Sequence, residues 1–215
     1  MKKVIYCLSL ILVISCENKD TEGTEQRTGD LNKTKGISMV AGDTLWVNPK
    51  TSNIHWIGHK VTGEHSGHIK IAGGFVLKNA GIISGGEVLV DMQSITVEDI
   101  ETPKWNQKLV DHLKADDFFN SDEYPIARLN IMGSSSTDIT DIFTLKGELN
   151  IRDKTNPIEF NAMVNFSQDS SMATGTLKVD RTLYDVKYRS GKFFDGLGDK
   201  MIYDEFTLNF SIIAN

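Results

Sequence analysis

The sequence predicts an all-β domain, and two patterns lead to that prediction. Apolar and polar residues alternate in about eight segments between residues 54 and 212, as they do in strands with one buried and one solvated face. Runs of turn-forming residues, such as Asn79-Ala80-Gly81, separate these segments. Eight such strands bury their apolar faces either by closing into a barrel or by pairing as two sheets, and the pattern leaves both open.

The predicted strands are antiparallel, because parallel strands are covered on both faces and lack this alternation. They centre on residues 54–56, 69–71, 88–92, 127–131, 143–151, 158–166, 173–179 and 206–212. Turns are predicted at residues 73–74, 79–81, 85–86, 134–136, 153–157 and 168–170. Small residues on the apolar faces either leave interior space or fit the taper of a packed barrel; they are Ala127, Gly147, Ala162, Ala173 and Gly175.

One segment departs from the β pattern and predicts a short helix. Thr102 is suited to cap it, and Pro103 is suited to its first position. Apolar residues then recur every four positions on one face: Trp105, Leu109 and Leu113. We expect this helix to lie over an opening of the β structure, with Phe118 and Phe119 where the chain leaves it.

The N-terminal residues have the features of a bacterial export signal. Lys2 and Lys3 precede an apolar run, Val4–Ile14, which is too short to span a bilayer and suits a signal peptide. A small residue directly before Cys16 resembles a lipobox. Residues 1–15 are therefore predicted to be a lipoprotein signal and Cys16 the lipid-bearing residue, and an ordinary signal peptide is the alternative.

Residues 16–42 are predicted to be the acylated cysteine and a flexible polar tether, and residues 43–215 the folded domain. The formal net charge of -6 becomes -8 without Lys2 and Lys3, and no basic block is present, which argues against nucleic-acid binding. Cys7 leaves with the signal, so no disulfide or cysteine metal site is expected. The common nucleophile, phosphate-loop and zinc-protease motifs are missing, which predicts a non-catalytic protein.

Histidines are concentrated near the start of the domain and suggest an alternative function. His55, His59, His65 and His68 fall within 14 residues, and imidazoles are ligands for zinc and copper. Strand parity places His55 and His59 on the same polar face. Such clusters are also found as plain solvated residues of strands and turns.

Short motifs along residues 44–214 resemble, in order, those of the YceI family of lipid-binding proteins. They include Ser52-Asn53-Ile54-His55-Trp56, His65-Ser66-Gly67, Gly73-Gly74-Phe75, Asp91-Met92-Gln93-Ser94-Ile95, Asp117-Phe118-Phe119, Tyr124-Pro125, Gly147-Glu148-Leu149-Asn150-Ile151 and Asp180-Arg181-Thr182. The resemblance implies an eight-stranded antiparallel lipocalin-like barrel with a short helix near its mouth. It also implies an elongated apolar cavity that binds a polyisoprenoid or similar long-chain lipid, with no other cofactor.

The resulting hypothesis is a membrane-anchored carrier or store for such a lipid, a quinone-related one included, in the bacterial cell envelope. The lipid-anchored domain faces the periplasm or the cell surface. The sequence does not decide whether it has a membrane enzyme as partner or forms a homodimer. A histidine-based metal-binding or redox-accessory protein is the alternative. Strand parity predicts eight residues facing the cavity: Trp56, Ile71, Val90, Leu129, Leu145, Phe160, Leu177 and Leu208. Four more are predicted at its mouth: Leu109, Leu113, Phe118 and Phe119.

Overall fold

The computed structural model of the protein describes residues 42–167 and 170–215. In these residues the chain forms nine β-strands and one α-helix. The strands are β1 (Asp43–Trp46), β2 (Asn53–Lys60), β3 (Gly63–Asn79), β4 (Ile82–Asp91), β5 (Ile126–Ser136), β6 (Ile142–Ile151), β7 (Lys154–Phe166), β8 (Ser171–Asp180) and β9 (Ile202–Ala214), and the helix α1 is Pro103–Lys114. The predicted signal, Cys16 and the predicted tether up to residue 41 lie outside the described residues.

Eight of the strands close into an antiparallel barrel, which confirms the predicted fold class. Their order is β3-β2-β9-β8-β7-β6-β5-β4, and β4 pairs back onto β3. Closure gives each of these strands a partner on both sides, although β7 and β8 pair only through residues 162–166 and 171–175. The ninth strand, β1, pairs with the second half of β3, whereas β2 pairs with its first half. The four residues of β1 are too few to show the alternation that identifies the others.

Two of the predicted turns are wrong, because their glycines lie inside strands. Gly73 and Gly74 are within β3, and Gly86 lies within β4 opposite Val76. Gly74 and Gly86 have φ values of 144° and 152°. A Cβ on Gly74 would lie 2.2 Å from the carbonyl oxygen of Glu87, so a side chain at this position does not fit. The glycines thus permit a close approach and a register shift between two paired strands, which is another common use of glycine in sheets.

Other predicted turns are shorter or shifted in the structure. The turn between β6 and β7 comprises Arg152, at φ 57°, and Asp153, so that Pro157 lies inside β7 opposite Glu148. Residues 134–136, predicted as a turn, form the end of β5. Only the flanks of the predicted turn at 168–170 can be compared, because residues 168 and 169 lie outside the described residues.

The strands bury alternate side chains, and the inner ones form a single core. Along β6 the positions at Leu145, Gly147, Leu149 and Ile151 are buried while their neighbours are not. Phe160 of β7 and Phe210 of β9 pack edge to face inside the barrel with ring centres 5.7 Å apart. A Cβ on Gly175 would lie 2.7 Å from the Phe210 ring. At this position the small residue makes room for a core side chain.

Helix α1 begins and ends close to the prediction. Thr102 is its N-cap residue, but its side chain makes no capping hydrogen bond within the described residues; its carbonyl oxygen accepts from the Trp105 and Asn106 backbone N–H groups at 3.0 Å. Burial increases along the predicted apolar face, from an exposed Trp105 to a buried Leu113. Helix α1 therefore rests on the barrel mainly through its last turn. None of the helices in the described part of the chain is long and apolar enough to cross a bilayer.

Candidate functional site

The larger of two interior cavities bordered by the described residues, called the large cavity below, lies inside one end of the barrel. Its volume is about 120 Å³, and its walls are formed by the first residues of β9, the last of β6 and parts of β2, β3, β4 and β5. Most lining side chains are apolar, and the lining includes two charged residues, Arg181 and Glu205. The apolar lining is Ile54, Trp56, Gly58, Ile69, Val90, Met92, Ile95, Leu113, Phe118, Phe119, Ala127, Leu149, Ile151, Ile202, Phe206 and Leu208, and Tyr203 completes the wall. A site of this composition suits an apolar ligand.

The segment after α1 covers this end of the barrel. Its backbone is tied to the last turn of the helix, since Phe118 N–H donates to Ala115 O at 3.1 Å and Phe119 N–H donates to Leu113 O at 3.1 Å. The rings of Phe118 and Phe119 pack edge to face at 5.1 Å, and Phe119 reaches Phe206 of β9 at 6.3 Å. These contacts hold the two phenylalanines over the cavity.

Arg181, a buried cation in the 3-10 helix that follows β8, borders the same cavity. Its guanidinium group donates to the backbone oxygens of Val186, Ile202 and Tyr203 at 2.8, 3.0 and 3.1 Å, and it lies 3.6 Å from Asp204. Burial lowers the pKa of Arg181, and the neighbouring carboxylates oppose that shift. The hydrogen bonds of Arg181 therefore connect the segment after β8 to the first residues of β9.

Three of the eight residues predicted to face the cavity line it: Trp56, Val90 and Leu208. The others lie in or against the buried core and do not border this cavity; they are Ile71, Leu129, Leu145, Phe160 and Leu177. Strand parity identifies the face of the sheet correctly for these residues. It carries no information on how far along the barrel axis a cavity extends, and here the cavity occupies one end.

Three of the four residues predicted at the mouth also line the cavity: Leu113, Phe118 and Phe119. Leu109 lies one helical turn away, in a separate open groove between α1 and the barrel. The groove includes Trp105 and His112 from the helix and Tyr188 from the loop before β9. The helix thus contributes its last turn to the cavity and its middle to the outer groove.

A second, much smaller cavity of about 20 Å³ lies at the other end of the barrel, bordered by Val76, Val164 and Ile212 among others. Along β9, Phe206 and Leu208 line the large cavity, Phe210 packs against Phe160, and Ile212 lines the small cavity. The two aromatic rings therefore separate the two interior spaces.

Several lining residues were not predicted. Met92 ends the strand predicted at residues 88–92, but in the structure it begins the 3-10 helix after β4. Ile95 follows that helix, where no period-two pattern exists to place it. Ile151 and Leu149 share the parity of Leu145, so the strand pattern contained the signal for their direction. Leu149 and Ile151 line the cavity and Leu145 does not, because the cavity lies at one end of the barrel. The sequence pattern does not show at which end.

The histidines divide into separate clusters on the outer surface. His55 of β2 is directly opposite His68 of β3, and both reach Glu98: His55 Nε2 lies 2.6 Å from Oε1 and His68 Nε2 lies 3.0 Å from Oε2. The hydrogen bond with His55 lowers the pKa of Glu98, and the two imidazoles act in the same direction. His59 instead pairs with Glu64 at 3.2 Å.

His55 and His59 have separate partners, Glu98 and Glu64, for a geometric reason. Four residues along a strand span roughly 13 Å, whereas directly opposite residues on paired strands are about 5 Å apart. His65 forms a further contact, with Asp99 at 2.7 Å.

Comparison with known proteins identifies the fold and the family. The model of the YceI-like domain matches residues 46–214 of the chain. No significant match was found among curated proteins.

Solved structures with the same fold include BcnA from Burkholderia cenocepacia, at 17% identity and a TM-score of 0.64, covering 79% of this chain and 99% of BcnA. A polyisoprenoid-binding domain from Saccharophagus degradans, implicated in plant cell wall breakdown, is 10% identical with a TM-score of 0.59, covering 81% and 99%. The YceI protein of Campylobacter jejuni is 16% identical with a TM-score of 0.50, covering 92% and 98%. At these identities the structures show the fold alone. Since the family match extends over nearly the whole barrel, the chain belongs to the YceI-like domain family.

Proposed function

We propose that this protein binds a polyisoprenoid or similar long-chain lipid in its barrel and acts as a carrier or store rather than as an enzyme. The observation that carries the proposal is the apolar cavity at one end of a closed barrel. The structural relative from Saccharophagus degradans, a polyisoprenoid-binding domain, supports the same ligand class. Quinone-related lipids belong to this class, since they combine a prenyl chain with a small polar head.

Hydrophobic burial alone supplies enough affinity for such a ligand. Each buried CH₂ group contributes about 0.8 kcal/mol, so ten buried carbons of a prenyl chain gain up to about 8 kcal/mol before the costs of binding. Polar contacts with the chain are not needed. Discrimination between chains of similar length is accordingly weak.

The cavity described above is smaller than a long prenyl chain. A cavity of roughly 150 Å³ holds one benzene molecule, so the present 120 Å³ accepts about one isoprene unit. In the proposed complex, the chain extends past Phe160 and Phe210 toward the small cavity, and these rings move aside. Phe118 and Phe119 open at the other end to admit it.

A polar head group would find its partners beside Arg181. The guanidinium group has five N–H groups, and three of them donate to backbone oxygens of the described residues. One of the two remaining N–H groups is on the nitrogen that lies 3.6 Å from Asp204. In the proposed complex the other donates to a carbonyl or phosphate oxygen of the head group. Tyr203, which is half exposed and lines the same cavity, adds a hydroxyl group near the surface.

The ligand test uses the barrel, residues 43–215, because all strands and the core described here lie within it. The fragment is purified without detergent, extracted with organic solvent and analysed by mass spectrometry, before and after incubation with a prenyl quinone. We expect close to one lipid molecule per chain. A fragment that carries no long-chain lipid and takes up no prenyl quinone would contradict the proposal.

A pair of variants relates the uptake to the cavity. Ala127→Leu places three more carbon atoms in the large cavity, and Ala173→Leu makes the same change beside the small cavity at the other end. With a prenyl alcohol of one or two isoprene units, Ala127→Leu should lose binding while Ala173→Leu retains it. Equal losses in both variants would show that the large cavity is not the entry site.

The membrane anchor is a separate part of the proposal and has its own test. Cys16 carries the lipid and holds the barrel at a membrane of the cell envelope, where its ligand dissolves. Cys16→Ser should move the protein from the membrane fraction to the soluble fraction, and mass spectrometry of the wild-type N-terminal peptide should show the added acyl groups. Recovery of the wild type and Cys16→Ser in the same fraction would contradict the proposed anchor and would leave the ligand proposal unaffected.

A further inference from the structure

Two imidazoles and one carboxylate meet on the outer wall of the barrel, away from the cavity. They belong to His55, His68 and Glu98, and their nearest ligand atoms all lie within 4.8 Å of one another. The side chains are 26%, 46% and 44% exposed, so an ion can reach them from solvent. None of the three lines the large cavity, and the lipid proposal does not use them.

The backbone holds these side chains together by an unusually close contact. The segment that carries Glu98 runs beside β3, where Thr96 N–H donates to His68 O and Glu98 N–H donates to Ser66 O, both at 2.9 Å. Gly67 makes the contact possible, because a Cβ at that position would lie 1.9 Å from the carbonyl oxygen of Thr96. The carboxylate is thus fixed over the two strands that carry the histidines.

Neighbouring polar groups orient the histidine and the carboxylate. The side-chain oxygen of Asn53 lies 3.0 Å from Nδ1 of His68 and accepts its proton, which directs Nε2 toward Glu98. The Ser66 hydroxyl donates to Glu98 Oε1 at 3.3 Å. Histidine ligands of metal sites are oriented in the same way, through a hydrogen bond from the ring nitrogen that does not bind the ion.

We propose that His55, His68 and Glu98 bind a divalent transition-metal ion of the class that imidazole prefers, of which Zn²⁺ is the probe of choice. Two nitrogens and one oxygen supply three of four tetrahedral positions, and water takes the fourth. Ligand atoms around tetrahedral zinc are about 3.3 Å apart for bonds of about 2.0 Å. In the structure His55 contacts one Glu98 oxygen at 2.6 Å and His68 contacts the other at 3.0 Å. All ligand atoms lie within 4.8 Å of one another, so binding requires side-chain rotations that bring them to the tetrahedral spacing.

The test measures Zn²⁺ binding to the full chain in non-ionic detergent after treatment with a chelator. Isothermal titration calorimetry should give one Zn²⁺ per chain in the wild type. Glu98→Gln keeps the shape of the side chain and removes its charge, and we expect it to weaken binding by more than 100-fold, as His68→Ala should. Asn53→Ala removes the orienting hydrogen bond, and a loss of about 10- to 100-fold is expected.

His59→Ala is the matched control, because this histidine lies on the same strand as His55 and also pairs with a glutamate, Glu64. It should bind Zn²⁺ like the wild type. As a second measurement, Co²⁺ in place of Zn²⁺ should give the visible absorption of a four-coordinate ion, and Glu98→Gln should abolish it. Absence of Zn²⁺ binding in the wild type, unchanged binding in Glu98→Gln, or an equal loss in His59→Ala would each overturn the proposal. Because these side chains are outside the cavity, lipid uptake by Glu98→Gln should stay normal in every case.

Discussion

Replacing Phe210 with alanine tests whether an aromatic pair divides the interior of the barrel. The Phe210 ring packs against Phe160 at 5.7 Å and contacts the position of Gly175, between the cavities of about 120 and 20 Å³. We expect its removal to join the two spaces. Core Phe→Ala substitutions cost about 3–5 kcal/mol, including roughly 24 cal/mol for each Å³ of cavity that stays empty. We expect Phe210→Ala to lower the free energy of unfolding in urea by that amount.

The same change should favour longer ligands. One isoprene unit has five carbons, and their burial contributes up to about 4 kcal/mol, whereas in the wild type part of this gain is used to move the ring. Titration with prenyl alcohols of two and three units should therefore show the longer one gaining at least tenfold more affinity in Phe210→Ala than in the wild type, a difference of about 1.4 kcal/mol.

The control is Phe143→Ala, which removes a ring that packs against Phe166 rather than one between the cavities. It should be destabilised without any gain in affinity for the longer chain. The reasoning would be refuted if Phe210→Ala bound both chain lengths as the wild type does, because the ring would then not limit the space available to the ligand.

Replacing Arg181 with methionine leaves three backbone oxygens and a neighbouring carboxylate without their buried partner, and should cost about 3–5 kcal/mol in urea unfolding. Burial opposes ionisation of Asp180, but hydrogen bonds from Lys192 and Thr182 outweigh it and lower its pKa. Its ionised form therefore stabilises the fold above about pH 4, and the difference in unfolding free energy between wild type and Asp180→Asn should shrink as the pH falls from 7 to 3. Gly147→Ala should lower the melting temperature and reduce the free energy of unfolding by about 1–3 kcal/mol, because the new Cβ would lie 2.2 Å from the Asn130 backbone oxygen. The control is Gly58→Ala, whose Cβ has ordinary contacts. An equal effect of the two substitutions would contradict this explanation.

The barrel was predictable because its strands show a local pattern. Residues such as Leu145 and Leu177 alternate with polar neighbours, and the structure buries both of them. The turn predictions at the glycines were wrong, since Gly74 and Gly86 are placed by contacts between β3 and β4, with pairing partners 14 and 10 positions away. Turn propensity depends on the local sequence only, so it cannot take into account the close approach of a neighbouring strand.

The site was less predictable than the fold. It depends on how far along the barrel axis each residue lies and on segments without regular structure. Parity directs both Trp56 and Ile71 inward, but Trp56 alone of this pair borders the large cavity. Glu98 shows no motif with His55 in the sequence, being more than forty positions away, and it reaches the histidine through a segment without regular structure. These features come from the closing of the barrel and from the close contact at Gly67.

The indole of Trp56 connects the two sites physically. One side of its ring borders the large cavity, and its Nε1–H donates to the carbonyl oxygen of Thr96 at 3.0 Å, two residues before Glu98. The other two tryptophans of the chain, Trp46 and Trp105, are more than half exposed, whereas Trp56 is 8% exposed. An aqueous quencher such as acrylamide therefore suppresses their fluorescence preferentially. The remaining emission comes mainly from Trp56. A change in that emission should report a ligand in the large cavity or a movement of the Glu98 segment, without any added label.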